Sequence, residues 1–372
     1  MTKVGLRNAW FQVHKWIGLI LAAVIIPISL TGSALVWHDP LEKALNLERY
    51  ALSGTSVLPV ARYAEAAQAR LGPGERLQRI ELPAEAGEPV TVRASKPGKG
   101  RPQRLTLFLD PATGRVLDTA RSGEGVFQVM HVLHGSLMVP GVGRQIVGWI
   151  GVAMLVSSIS GLWLWWPLVG SIRRGLRWKR HRNLDANLHH QFGFWISLPL
   201  FVLSLTGVWI SFPQWFAGFE ATQAERPPGG PGRFAAPLQL PLSAVAGAVE
   251  AAEKAAEGQA VSVAWPTEKA SEWTIAVQPA AGNTLAEEST EVKVAAADNS
   301  ATVERSTGEQ PETLARLMRR IHDGNEMPLA WQIIVFLGGI LPAALAVTGI
   351  IMWWRARSWR AQLAQRRSAV AA

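Results

Sequence analysis

Apolar residues in this chain are gathered into four blocks, at about Trp16–Trp37, Ile146–Trp166, Phe192–Phe212 and Trp331–Trp354. Each is close to the roughly 20 residues that a helix needs to cross the hydrocarbon core of a bilayer. The pattern between them is different. After the first block a helical period over Val60–Leu71 gives way to alternating segments at Leu77–Leu82, Pro89–Ala94, Arg104–Leu109 and Arg115–Asp118. The polar stretch after the third block repeats that order, with a helix over Leu242–Ala256 and strands near Ala260–Trp265, Trp273–Val277, Glu291–Ala296 and Thr302–Arg305. Period 3.6 followed by period 2 predicts a helix packed on a small antiparallel sheet, twice.

The expected fold is therefore a membrane α-helical protein: a four-transmembrane-helix bundle made of two tandem repeats, each with a small α+β domain inserted between its two helices. The chain divides into residues 1–38 (N-terminal segment and first span), 39–130 (first soluble domain) and 131–170 (a short helix and the second span). Then come 171–188 (basic loop), 189–213 (third span), 214–312 (linker and second soluble domain), 313–356 (a short helix and the fourth span) and 357–372 (basic tail). The run Arg226-Pro227-Pro228-Gly229-Gly230-Pro231-Gly232 reads as a flexible linker.

The repeat is sharpest in the spans. A shift of 175 places His14 on His189, Gly18 on Gly193 and Ser29-Leu30-Thr31-Gly32 on Ser204-Leu205-Thr206-Gly207. A shift of 188 places Met130 on Met318, His134 on His322, Ser160-Gly161 on Thr348-Gly349 and Trp165-Trp166 on Trp353-Trp354. The third block, being internal, is no leader, so its counterpart, the first block, is read as a span rather than a cleaved signal peptide.

Charge then gives the orientation. Lys3, Arg7 and Lys15 precede or open the first span, Arg173, Arg174, Arg177, Lys179, Arg180 and Arg182 lie between the second and third, and Arg355, Arg357, Arg360, Arg366 and Arg367 follow the fourth. All three clusters fall on one side, which predicts that both termini are cytoplasmic and both soluble domains lie on the far side. The net charge of +9 is accounted for in this way and does not call for nucleic acid. Seventeen Trp against two Tyr, mostly near block ends, read as an aromatic belt among the lipid headgroups. The chain has no Cys, which excludes disulfides, thiolate catalysis and Cys-ligated clusters.

An ionisable residue that recurs at membrane depth is a functional candidate. His14 and His189 lie near the cytoplasmic ends of the first and third spans, and His134 and His322 just before the second and fourth. Twofold packing would face each pair across the bundle, which suits axial ligation of a b-type haem by two imidazoles, so two haems are expected, although a histidine at a helix end is also commonly just an interfacial polar residue. Thr31-Gly32 falls near the level of His134 and Ser160-Gly161 near that of His14, where small residues would make room. Such residues also serve simply to bring helices close. His131, His190, Arg144 and His38 are lower-ranked, Arg144 either as a partner for a haem propionate or as a side chain snorkelling to the headgroups. Zinc is the rival metal, through His131 and His134 or the adjacent His189 and His190. Gly141-Val142-Gly143 leads into a span rather than a strand–turn–helix unit, and no flavin or nicotinamide site is evident.

Leu188-His189-His190 with Gly193 and Thr206-Gly207, Leu133-His134, Gly143-Arg144, Ile146-Val147-Gly148 and Ser160-Gly161-Leu162-Trp163-Leu164-Trp165-Trp166-Pro167 resemble the PepSY-associated transmembrane proteins of bacteria. The resemblance implies a multi-pass protein of the bacterial inner membrane with PepSY-like periplasmic domains. It also implies a link to iron uptake, some members being haem-containing reductases of ferric siderophores. Trp331-Gln332 replaces Gly143-Arg144 in the second copy, so the two halves do not offer a propionate the same partner. The leading expectation is a di-haem conduit taking electrons from a cytoplasmic or quinone donor and delivering them to a periplasmic ferric siderophore. Non-enzymatic binding, as in peptidase restraint or envelope sensing, is the alternative. An iron or siderophore transporter is a weaker third, lacking a broken helix or a buried carboxylate.

Overall fold

The computed structural model describes residues 2–96, 102–166, 172–178, 180–219, 235–279, 289–304 and 313–371. The expected linker at 226–232, and the basic residue Lys179, lie outside them. The helices are α1 (Lys3–Val36), α2 (His38–Leu45), α3 (Val60–Gln68), α4 (Val126–Ser136), α5 (Gly143–Trp165), α6 (Ile172–Gly175), α7 (Leu184–Ser211), α8 (Ser243–Ala256), α9 (Leu314–Asp323) and α10 (Leu329–Ala371). The strands are β1 (Arg76–Glu81), β2 (Val90–Lys96), β3 (Gln103–Leu109), β4 (Val116–Arg121), β5 (Gly258–Ala264), β6 (Glu272–Pro279), β7 (Thr290–Ala295) and β8 (Ala301–Glu304). They form two compact units, residues 1–38, 126–224 and 312–372 in the first and 39–125 and 225–311 in the second.

In the first unit α1, α5, α7 and α10 are each long and apolar enough to cross a membrane. They form a ring in which α1 touches α5 and α10, and α7 touches the same two, so α1 and α7 stand on a diagonal. Glycine sets the closest approaches. On α10, Gly339 faces Ser29 and Ser33 of α1 while Gly338 faces Leu203 of α7, and on α5 Gly148 faces Phe212. Ser33 also donates to the Phe336 carbonyl at 2.6 Å. In a bilayer, where lipid tails are as apolar as leucine, such close packing and interhelical hydrogen bonds replace the hydrophobic driving force. Pro27, Pro199 and Pro342 lie inside α1, α7 and α10, which spanning helices tolerate. The short helices α4 and α9 pack on α1 and α7 respectively.

At the end of the bundle that carries the basic clusters, Arg7 closes the C-terminus of α5, donating to the carbonyls of Leu164 and of Trp166, the latter at 3.0 Å. Arg180 donates to the Trp165 carbonyl at 3.2 Å. These are the orphan carbonyls that any helix end leaves behind, met here by guanidinium groups that also suit the helix dipole. Asp185 at the start of α7 pairs with Arg355 of α10 at 2.7 Å.

In the second unit the alternating segments become strands within two or three residues of their expected bounds, but they do not make two separate sheets. All eight belong to one antiparallel sheet in the order β4-β3-β2-β1-β5-β6-β7-β8. The join is β1 against β5, with Ile80 opposite Val263, Arg79 opposite Ala264 and Glu81 opposite Ser262. The reason is an edge. A four-stranded sheet ending in β1 or β5 would expose a row of unpaired backbone groups, and pairing the two removes both edges. Val60, Tyr63, Ala64 and Ala67 of α3 and Val245, Ala248 and Ala252 of α8 bury one continuous core against Ile80, Val92, Leu107, Val263, Ile275 and Val292. The Tyr63 hydroxyl is satisfied on both sides, donating to the Pro111 carbonyl at 2.6 Å and accepting from Leu58 N–H at 2.7 Å.

Candidate functional site

The spacing along α1 and α7 puts two histidines on the diagonal of the bundle. His14 and His189 face each other with ring centres 6.3 Å apart and planes at 87°. His134 of α4 and His322 of α9 form a second pair, 6.0 Å apart at 46°. The pairings expected from the repeat are thus the ones the fold makes. Eighteen residues separate His14 from Gly32, the residue of α1 that touches His134, so the two levels are about 27 Å apart along the helix at about 1.5 Å per residue.

Each ring sits over one of the four glycines. A Cβ at Gly32 would lie 2.6 Å from His134 Cε1, at Gly161 3.1 Å from His14 Cε1, at Gly207 3.1 Å from His322 Cε1 and at Gly349 3.5 Å from His189 Cε1. The small residues therefore do make room for the imidazoles, at both levels. Their neighbours do something that the spacing alone did not reveal. His14 Nδ1 lies 3.0 Å from Ser160 Oγ, His189 Nδ1 3.0 Å from Thr348 Oγ1 and His322 Nδ1 3.0 Å from Thr206 Oγ1. Each of those hydroxyls already donates its proton to a carbonyl of its own helix, Ser160 to Ser157, Thr348 to Ala344 and Thr206 to Val202. The oxygen must then accept, so the ring nitrogen donates. His134 reaches the same state by donating from Nδ1 to the Ile28 carbonyl at 2.8 Å, and His322 also lies 3.0 Å from the Leu203 carbonyl.

These contacts repeat one local pattern. The carbonyls of Ser157, Ile28, Leu203 and Leu345, which the four rings lie against, each stand four residues before the glycine beneath the ring. All four imidazoles are held in the Nδ1–H form, and their Nε2 atoms make no hydrogen bond among the described residues. Such a donor to carbonyl or hydroxyl behind a histidine is what fixes and strengthens a metal-binding imidazole. Outside the spanning helices, burial holds His134 and His322 below the usual imidazole value, His322 down to about 4 with the facing His134 adding to the effect. Both are neutral, the form that a ligand requires.

The geometry also fits a shared metal. With ring centres 6.3 and 6.0 Å apart, the two imidazoles of each pair are close enough to share one ion, which His14 with His189, and His134 with His322, would hold. On the same face one turn beyond His14 and His189, a Cβ at Gly18 would meet nothing within 4 Å and one at Gly193 only Leu345, at 4.0 Å, so neither glycine is packed tightly beside its ring. Among the described residues no group of three or more His, Cys, Asp and Glu gathers around one point, as a structural or catalytic zinc would need. Each pair offers two imidazole donors to whatever group it holds.

The lower-ranked candidates stand apart. Arg180 Nη1 lies 2.6 Å from His190 Nε2, and the ring stacks on Trp165 with His181 beside it, so its nitrogen is occupied away from the His14–His189 pair. His131 is exposed on α4. His38 packs its ring against Phe127 at 4.5 Å. Arg144 donates to the Ile210 carbonyl near the end of α7.

Residues 11–356 match the family described as PepSY-associated TM region. No curated protein matches the chain.

Proposed function

This chain belongs to the PepSY-associated transmembrane family, and on that premise we propose that it is an electron conduit of the bacterial inner membrane that reduces a ferric siderophore or similar ferric chelate in the periplasm. The observation that carries the reading is the pair of facing imidazole pairs, four rings each locked with Nδ1–H satisfied and Nε2 free to ligate. His14 with His189, and His134 with His322, would each hold one b-type haem, which supplies one-electron exchange without proton transfer. The residues' part is to present neutral imidazoles, to hold them through the hydroxyls of Ser160, Thr206 and Thr348 and the Ile28 carbonyl, and to keep water away.

A donor on the cytoplasmic side, whether a protein or a quinol, would serve the His14–His189 level, and the acceptor the His134–His322 level. Fe(III) bound by hard oxygen ligands is released more readily once reduced to Fe(II), so the acceptor chemistry needs no acid–base residue. The test is an optical spectrum of the purified protein, oxidised and dithionite-reduced. About two haems per chain are expected with sharp reduced bands, falling to about one in His14→Ala/His189→Ala. A colourless protein from haem-replete cells would end the conduit reading in favour of a binding module, and loss of neither haem in the double variant would end this assignment of ligands.

A further inference from the structure

The basic tail is not a loose end. Helix α10 runs unbroken from Leu329 to Ala371, and its only internal proline, Pro342, lies well before Trp353 and Trp354, which close the apolar block and are read from the sequence as the membrane edge. Its last ion pair with the bundle among the described residues is Arg355 with Asp185. Beyond Arg357, whose guanidinium lies over Trp353, the side-chain hydrogen bonds are within the helix, from Ser358 to Trp354 and from Ser368 to Gln365. Trp359 is 62% exposed although it is a large apolar ring outside the apolar block.

The helical period orders this segment. Ala356, Trp359 and Leu363 fall on one stripe, Arg355 and Arg366 on one flank of it, and Arg360 and Arg367 on the other. From Arg355 onward the chain has five Arg and no Asp or Glu. A basic amphipathic helix of this kind suits either an anionic membrane surface or an acidic groove. Continuity with the spanning helix decides between them for the outer turns, since Trp359 and Arg360, 5 and 6 residues past Trp354, stay within about 8–9 Å of that edge. Arg366 and Arg367 stand 12 and 13 residues past Trp354, so the rise along the helix carries them about 18–20 Å from the bilayer edge, little less at the usual tilt of about 20°. The field of anionic headgroups is screened within about 8 Å at physiological salt.

We propose that the outer turns of this helix, from Arg360 to Ala371, are a docking site for a soluble, acidic one-electron carrier, with Leu363 entering an apolar groove whose carboxylate rim meets Arg360, Arg366 and Arg367. This rests on the conduit reading and names the class of donor, a protein rather than a quinol.

The experiment uses the full chain in lipid nanodiscs with an environment-sensitive dye on Gln362→Cys, beside the stripe and not on it, the chain having no other cysteine, and reduced flavodoxin as the acidic carrier. The dye is expected to be open to a water-borne quencher and untouched by a lipid-borne one, with or without anionic lipid, and to be shielded when flavodoxin is added. Binding should weaken roughly tenfold or more in R360E/R366E/R367E and at roughly 0.5 M salt. Quenching from the lipid, or flavodoxin binding that is absent or indifferent to these charges, overturns the proposal. Because binding is read from the dye and not from haem, a colourless protein that still binds flavodoxin would sink the conduit while leaving the docking helix in place. Red protein whose binding is charge-indifferent would do the reverse.

Discussion

Ser160, Thr206 and Thr348 decide a property that the histidines alone leave open, namely which ring nitrogen carries the proton. An imidazole free to exchange tautomers would present Nε2 as an acceptor only part of the time. Here the hydroxyl's own proton is already committed to the preceding turn, so the tautomer is a consequence of helix geometry. The glycines set a graded tolerance. Gly32→Ala would drive a methyl to 2.6 Å from His134 and is expected to displace that ring, which under the proposed di-haem reading would broaden or abolish the low-spin spectrum of one haem, whereas Gly349→Ala, at 3.5 Å from His189, should leave the spectrum nearly unchanged. Equal effects from the two substitutions would contradict this placement of the rings. The histidine positions could be read from the sequence because the repeat places them twice. The carbonyls of Ile28, Leu203, Ser157 and Leu345 could not, since backbone acceptors have no side-chain signature.

A second residue, Asp110, answers to pH. Burial works to raise its pKa, but hydrogen bonds from the Ser53 and Thr113 hydroxyls and from Ser53 N–H hold it below the ordinary carboxylate value. A depressed folded pKa gives stability that is present above the unfolded value, about 3.9, and is lost as the pH falls through the folded one. Hydrogen exchange at the β3–β4 turn of the whole protein should therefore quicken below about pH 4, relative to its intrinsic rate. Asp110→Asn should flatten that dependence and cost about 2 kcal/mol at neutral pH, because its amide cannot accept all of the same bonds.

Among the elements, strands and spans were legible because their periods bury one face or all faces. The pairing of β1 with β5 was not, because a strand's hydrogen-bonding edge leaves no mark on its side-chain pattern. The expectation of two separate domains followed from that silence. Ile80 gives the test, being fully buried at the centre of the join. Ile80→Ala should cost about 2–5 kcal/mol and loosen the β5 amides together with those of β1, as read by hydrogen exchange. Unchanged protection in β5 would mean that the halves behave as independent sheets. The extent of α10 was also missed, since hydropathy falls away at Arg355 while helix propensity does not: Ala, Arg, Gln and Leu fill the tail.

At the scale of the whole molecule, the charge clusters predict one orientation. With no native cysteine to interfere, Thr2→Cys and Ser368→Cys should react with an impermeant maleimide only from the cytoplasmic side, and Lys269→Cys only from the periplasmic side. Labelling of all three from one side would overturn the four-pass topology.

The locking contacts have a further consequence. His14 is seated by Ser160 and Gly161, and His134 by Ile28 and Gly32, all from the first half of the chain, while His189 and His322 are seated wholly by the second. Only the facing ring comes from the other half. The β1–β5 ladder has the same character, centred on one pair with Ile80 opposite Val263, as it would be if a strand met its own copy. Each half carries everything needed to aim its two rings and nothing to oppose them. The chain has the logic of a homodimer whose subunits have been joined, with freedom for each copy to diverge wherever the opposing ring is not concerned.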